Sequence, residues 1–94
     1  MRDSKGVWAT MKFHVDARFV EGKDPAPEMA AEIARVNELR GAGVVEQVIR
    51  RTDDTGAYLV MEALDAGAIK EALDSLPFAQ SGTMTFVVDA VEIL

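Results

Sequence analysis

The chain contains no cysteine and only one histidine, His14, among its 94 residues. The first absence removes disulfides, thiolate metal sites and a cysteine nucleophile; the second leaves no two-histidine metal site within one chain. Positive charge is also short. Ten Lys and Arg against sixteen Asp and Glu give a formal net charge of −6. The basic residues are scattered instead of gathered into a stripe, so the footprint of a nucleic-acid binder, or of a protein that sits on an anionic membrane, is missing. No apolar run approaches the ~20 residues of a membrane span, and Met1 to Thr10 lack the apolar stretch of a signal peptide. A cytoplasmic protein is expected, and the lack of cysteine fits that compartment. There is no Gly-rich phosphate loop, no metal-ligand spacing and no Ser/His/Asp order. Gly41-Ala42-Gly43 is too short for a nucleotide fingerprint and reads as a helix terminator. Neither a cofactor nor a metal is expected.

What is present is enough for one domain, since domains typically run ~100–150 residues. Apolar residues make up 49% and charged residues 28%, a globular balance that excludes a disordered chain. Residues 1–9 are polar apart from Val7 and Trp8 and show no period. They read as a leader, either without fixed structure or docked on a partner, ahead of a domain over 10–94. From Met11 to Phe19 apolar residues alternate with Lys12, His14, Asp16 and Arg18, the period of a half-buried strand. Asp24 before Pro25 supplies an N-cap for a helix whose packing stripe is Met29, Ile33, Val36 and Leu39. Glu28, Glu32, Arg35 and Glu38 fall off that stripe, and the helix ends near Arg40. Val44–Thr52 and Ala57–Ala63 read as two antiparallel strands joined by Asp53-Asp54-Thr55-Gly56. Asp65 caps a second helix with stripe Ile69, Leu73 and Leu76, stopped by Pro77. Residues 78–82 read as loop, and Met84–Leu94 as a last strand covered on both sides.

The order β-α-β-β-α-β predicts an α+β, ferredoxin-like domain: a four-stranded antiparallel sheet with both helices on one face. The Met11, Phe13 and Val15 side must meet the helices. His14, Asp16 and Arg18 then lie on the open face, and Tyr58 and Glu62 share a side on the third strand. A second copy of the same sheet is the least demanding cover for such a face. That pairing gives a homodimer with the two sheets joined into a barrel around a small-molecule pocket.

Four segments in order carry a resemblance: Phe13-His14-Val15, the helix ending in Glu38-Leu39 before Gly43, Tyr58-Leu59-Val60-Met61-Glu62, and Ser75-Leu76-Pro77-Phe78. Together they resemble the muconolactone isomerase-like family over Met11 to nearly the end of the chain. The resemblance implies a dimeric α+β barrel, often built into larger rings, with a pocket in each half. It also implies a proton shift in an unsaturated, carboxylate-bearing lactone during aromatic degradation. The second strand departs from that isomerase, with Glu46, Gln47 and Ile49 in place of basic and aromatic residues and only Arg50 kept. Thr55 and Ala57 stand where it has Tyr and Asn, and the 78–84 linker looks longer, so a different ligand is expected. Cofactor-free monooxygenases and non-catalytic binding or assembly proteins share the barrel architecture, which makes transfer of function from fold alone weak.

A proton shift beside a carbonyl needs a base, a donor for the developing enolate oxygen and a cation for any substrate carboxylate. Glu32 lies where the resemblance places a candidate base; its alternative is a solvated surface pair with Arg35. His14, the sole histidine, is a candidate proton shuttle or orienting donor, or else a histidine bonded across a dimer interface. Arg18 and Arg50 are candidate anchors for an anion, or rim partners of Glu46 or Glu62; Asp16 and Arg18 can also neutralise each other. Tyr58 offers a phenol and a stacking surface for a ligand ring, or plain packing.

Overall fold

A computed structural model describes residues 9–94, so most of the expected leader lies outside the described residues. The alternating segment forms strand β1 (Met11–Phe19), followed by a 3-10 turn (Ala26–Glu28) and helix α1 (Met29–Gly41). Strands β2 (Val45–Arg50) and β3 (Gly56–Ala63) make the hairpin. Helix α2 (Ala66–Asp74), a short helix α3 (Pro77–Gln80) and strand β4 (Met84–Val91) complete the chain. The sheet order is β2-β3-β1-β4 with every pair antiparallel. The fold is the expected α+β, ferredoxin-like one.

Alternation on β1 decides which face is which. Phe13, Val15 and Ala17 are buried, and they pair across the ladder with Met61, Leu59 and Ala57 of β3. Ile69 and Leu73 close over them from α2, and Leu76 from the extended residue that leads into α3. Asp65 caps α2 as expected, its Oδ1 accepting from the Ala68 N–H at 2.9 Å. At the top of the hairpin Gly56 passes so close to β1 that a Cβ would sit 2.0 Å from the Ala17 carbonyl oxygen; only glycine fits there.

Four local expectations change. Asp24 accepts from the Ala26 N–H at 3.0 Å and so caps the 3-10 turn; α1 itself begins at Met29 with no side-chain cap. Pro77 does not simply stop a helix. Leu76 turns extended, and the fixed φ of Pro77 then opens α3, so part of the expected 78–82 loop is helical. The last strand ends at Val91 and lies at the sheet edge; within one chain it is not covered on both sides, and Val87 is 60% exposed.

The fourth change is in how α1 is turned. Leu39 is buried, but Ile33 is 53% exposed, while Glu32, expected off the stripe, is only 7% exposed. Three polar side chains hold the helix in this rotation. Glu28 Oε1 accepts from the Ser81 hydroxyl at 2.8 Å and the Thr83 hydroxyl at 3.1 Å. Glu32 Oε1 accepts from the Phe78 N–H at 2.9 Å, and Arg35 Nε donates to Ser75 Oγ at 2.9 Å. Buried polar groups must be bonded, and these bonds reach only the segment from α2 to β4, so satisfying them fixes the helix face.

Candidate functional site

Turning α1 in this way leaves Met29 and Ile33 exposed, while Val36 still packs against the edge of the core; all three line the space beside the helix. They become one wall of a cavity of about 700 Å³ between α1 and the helix side of the sheet. The opposite wall is Ala17, Val48, Ala57 and Leu59, and one end is formed by Phe19, Phe78, Met84 and Phe86. Phe19 and Phe78 meet edge to face with ring centroids 5.6 Å apart, a packing that stiffens this end. The size lies in the middle of the ~300–1,000 Å³ range of small-molecule sites.

Glu32 is the buried carboxyl of this cavity. Burial pushes its pKa above the ordinary glutamate value, the Phe78 N–H partly offsets that, and the nearby Glu28 charge adds to the rise. It is not the solvated partner of Arg35, which pairs with Glu38 at 2.9 Å. Arg50 also lines the cavity, at the end of β2, and its guanidinium is bound by Asp54 on the hairpin loop. The structure therefore brings together two of the six candidate residues, Glu32 and Arg50.

The other four lie across the sheet on the open face. His14 pairs with Val60 on one side and Asp89 on the other, and its ring lies 5.2 Å from that of Tyr58 in a tilted arrangement. Arg18 Nε donates to Asp16 Oδ1 at 3.1 Å, and that bond holds the Asp16 carboxyl below its usual range. Tyr58 accepts from Arg51, whose guanidinium also stands 5.3 Å from the ring centre. Neither Arg18 nor Arg50 reaches Glu46 or Glu62. Lys12 does, at 2.6 and 3.3 Å, and with the Thr10 hydroxyl, Glu46 and Lys12 all bonding it, the Glu62 carboxyl falls to about 2.

Sequence reading missed Arg40, Asn37, Phe19 and Phe86 as cavity residues and Arg51 as the partner of Tyr58. Arg40 had a signal: it continues the Met29, Ile33, Val36 row by one more turn. Arg51 had none, because its reach to Tyr58 depends on how the hairpin loop folds. A second groove of about 560 Å³ between α2 and β4 is lined by Phe13, Phe86 and Val88, with Lys70 and Asp74 paired at its edge. Among the described residues no group of three His, Asp or Glu side chains converges as a metal would need, and no helix is long and apolar enough to cross a membrane.

No protein-family model matches the chain, and no curated protein matches it. A solved structure does. It is the 5-chloro-2-hydroxyhydroquinone dehydrochlorinase TftG from Burkholderia phenoliruptrix AC1100, in complex with 2,5-dihydroxybenzoquinone. The two chains are 21% identical and superpose with a TM-score of 0.75 over 87% of this chain and 94% of that one. At that identity the likeness is one of fold: the chain shares the α+β architecture of an enzyme that processes a small aromatic-derived molecule.

Proposed function

We propose that the chain is a small-molecule enzyme that moves a proton within a cyclic carbonyl compound, with Glu32 as the base. One observation supports this above the others: a buried carboxyl with a raised pKa and no cation paired to it opens into a cavity whose walls are largely apolar, whereas the other lining carboxyl, Asp54, is paired with Arg50. In such a place a carboxylate is a stronger base than in water, and once protonated it is the favoured form, so it can hold a proton and return it. Glu32 takes a proton from the carbon beside the ligand carbonyl, giving an enolate and a neutral carboxylic acid. The acid then returns that proton to a different carbon of the conjugated system. One C–H bond breaks, another forms, the double bond moves, and no electrons are lost or gained. The Asn37 amide, Arg40 and Arg50 are cavity-lining groups able to meet enolate or carboxylate oxygens, Arg50 being held by Asp54. The quinone bound by TftG also carries ring carbonyls, which supports the choice of ligand class.

His14, Asp16, Arg18 and Tyr58 belong, in this reading, to the surface on which a second copy docks to close the barrel, and the protein works in the cytoplasm. A second reading also has an observation behind it. The Glu32 bond to the Phe78 N–H caps the first turn of α3, which is the role of a structural residue in a non-catalytic binding protein. Deuterium uptake from heavy water into β-tetralone and α-angelica lactone, followed by NMR, separates the two. Glu32→Gln keeps an acceptor for the Phe78 N–H but cannot take a proton. The enzyme reading expects uptake to fall by ~10²–10⁴-fold with the fold intact; uptake by the wild type no faster than buffer, or unchanged in the variant, overturns it.

A further inference from the structure

The polar groups that line the cavity are spread along α1 instead of gathered at one point. Glu32 stands in the first turns of α1 and Arg40 in the last. Eight residues at ~1.5 Å rise place their backbones about 12 Å apart along the helix axis. Between them the cavity presents Ile33 and Val36 from the helix and Val48 and Leu59 from the sheet, with Asn37 beside them and Arg40 lining it from the last turn. Arg50 is already bound by Asp54, and among the described residues no carboxylate pairs with Arg40.

We infer that the cavity takes an elongated aromatic acid of two fused or linked rings, its carbonyl or hydroxyl end against Glu32 and its carboxylate on Arg40. This rests on the proposed reading of the Glu32 cavity and adds the substrate's length and charge to it. The physical reasons are separate for the two halves of the ligand. The apolar walls reward burial of ring surface, at roughly 25 cal/mol per Å² removed from water. A guanidinium on the last turn of α1 grips a carboxylate through two parallel bonds and costs nothing to leave in place when the site is empty, because it remains partly in water. A single ring leaves either Glu32 or Arg40 unreached.

Three probes separate length from charge: 6-hydroxy-2-naphthoate, whose groups sit at opposite ends of two fused rings; β-naphthol, which lacks the acid; and para-hydroxybenzoate, which lacks the second ring. Titration calorimetry on the wild type should show the hydroxynaphthoate binding at least ~10-fold more tightly than either of the others, the equivalent of about 1.4 kcal/mol. Arg40→Met should abolish the advantage over β-naphthol while leaving β-naphthol affinity and thermal unfolding unchanged, and Arg40→Lys should restore part of it. Equal affinity for the one-ring acid, equal weakening of both naphthalenes in Arg40→Met, or no effect of that variant each overturns the inference, as does binding of none of the probes. Failure here is distinguishable from failure of the enzyme reading. Calorimetric binding needs no turnover, and the enzyme reading is tested on its own by deuterium uptake into β-tetralone in the wild type and Glu32→Gln, neither of which alters Arg40.

Discussion

The two faces of one sheet treat charge in opposite ways. On the open face every described ionised cluster is paired and half in water: Lys12 with Glu46 and Glu62, Asp16 with Arg18. On the helix face Glu32 is buried with a single backbone N–H for company and no cation beside it. Solvated pairs of the first kind contribute little to stability and tolerate loss of a partner. A lone buried carboxyl of the second kind works against stability whenever it is ionised, which makes it a candidate functional group. In the proposed reading the contrast separates surface that can be replaced from surface that carries the chemistry.

The largest test of that division is structural. Phe13→Ala, on the helix face, should destabilise the domain by ~3–5 kcal/mol in urea unfolding, because the cavity it leaves is ringed by Met61, Ile69 and Leu73 and cannot collapse. If the loss is under about 1 kcal/mol, the two faces are equivalent and the comparison fails. Next comes association. Val87→Asp places a carboxylate on the open face, where the proposed second copy would cover it; sedimentation velocity at micromolar concentration should show the wild type as a dimer and the variant as a monomer with unchanged unfolding. A monomeric wild type removes the barrel.

The smallest effects are in pH, and there the two faces should differ in sign. Because the folded pKa of Glu32 is raised, the stability linked to its proton is fully present below the unfolded value near 4.5 and is lost as pH rises through the folded value. Glu32→Gln should therefore melt a few degrees higher than the wild type at pH 7, with the gap closing below pH 4.5. The folded pKa of Glu62 is lowered to about 2, so its contribution is present above 4.5 and disappears as pH falls from there through about 2. Glu62→Gln should melt slightly lower than the wild type at pH 7 and match it near pH 2. Calorimetric scans across that range decide both; parallel shifts in the two variants would erase the distinction between the faces.

Much of this was legible in the sequence where the determinant was local. Alternation from Met11 to Phe19 assigns its own faces, and Asp65 announces its helix three residues ahead of the N–H it caps. The rotation of α1 was not legible. It is set by Phe78, Ser75, Ser81 and Thr83, which lie 40 to 55 residues further on, and nothing in the α1 repeat records where their polar atoms will stand. An apolar stripe that meets a cavity is read in sequence as a packing stripe, and Met29, Ile33 and Val36, with Arg40 one turn beyond, are such a case. The division of the candidate site into two faces was half visible. Strand parity placed His14, Asp16, Arg18 and Tyr58 together, but only the ladder between β2 and β3, shifted by a bulge between Val45 and Gln47, puts Arg50 on the Glu32 side.

The edge position of β4 bears on how the chain behaves outside its folded state. Thr85-Phe86-Val87-Val88 is a β-prone run at an unpaired sheet margin, the kind of segment that templates cross-β stacking when chains meet. Asp89 and Glu92 interrupt it before Ile93 and Leu94, and a carboxylate stacked in register on its own copies repels them at every rung. These two acids stand where gatekeepers of such a run would, and during synthesis and refolding, when the edge is uncovered, their worth is in solubility, before the cavity has formed.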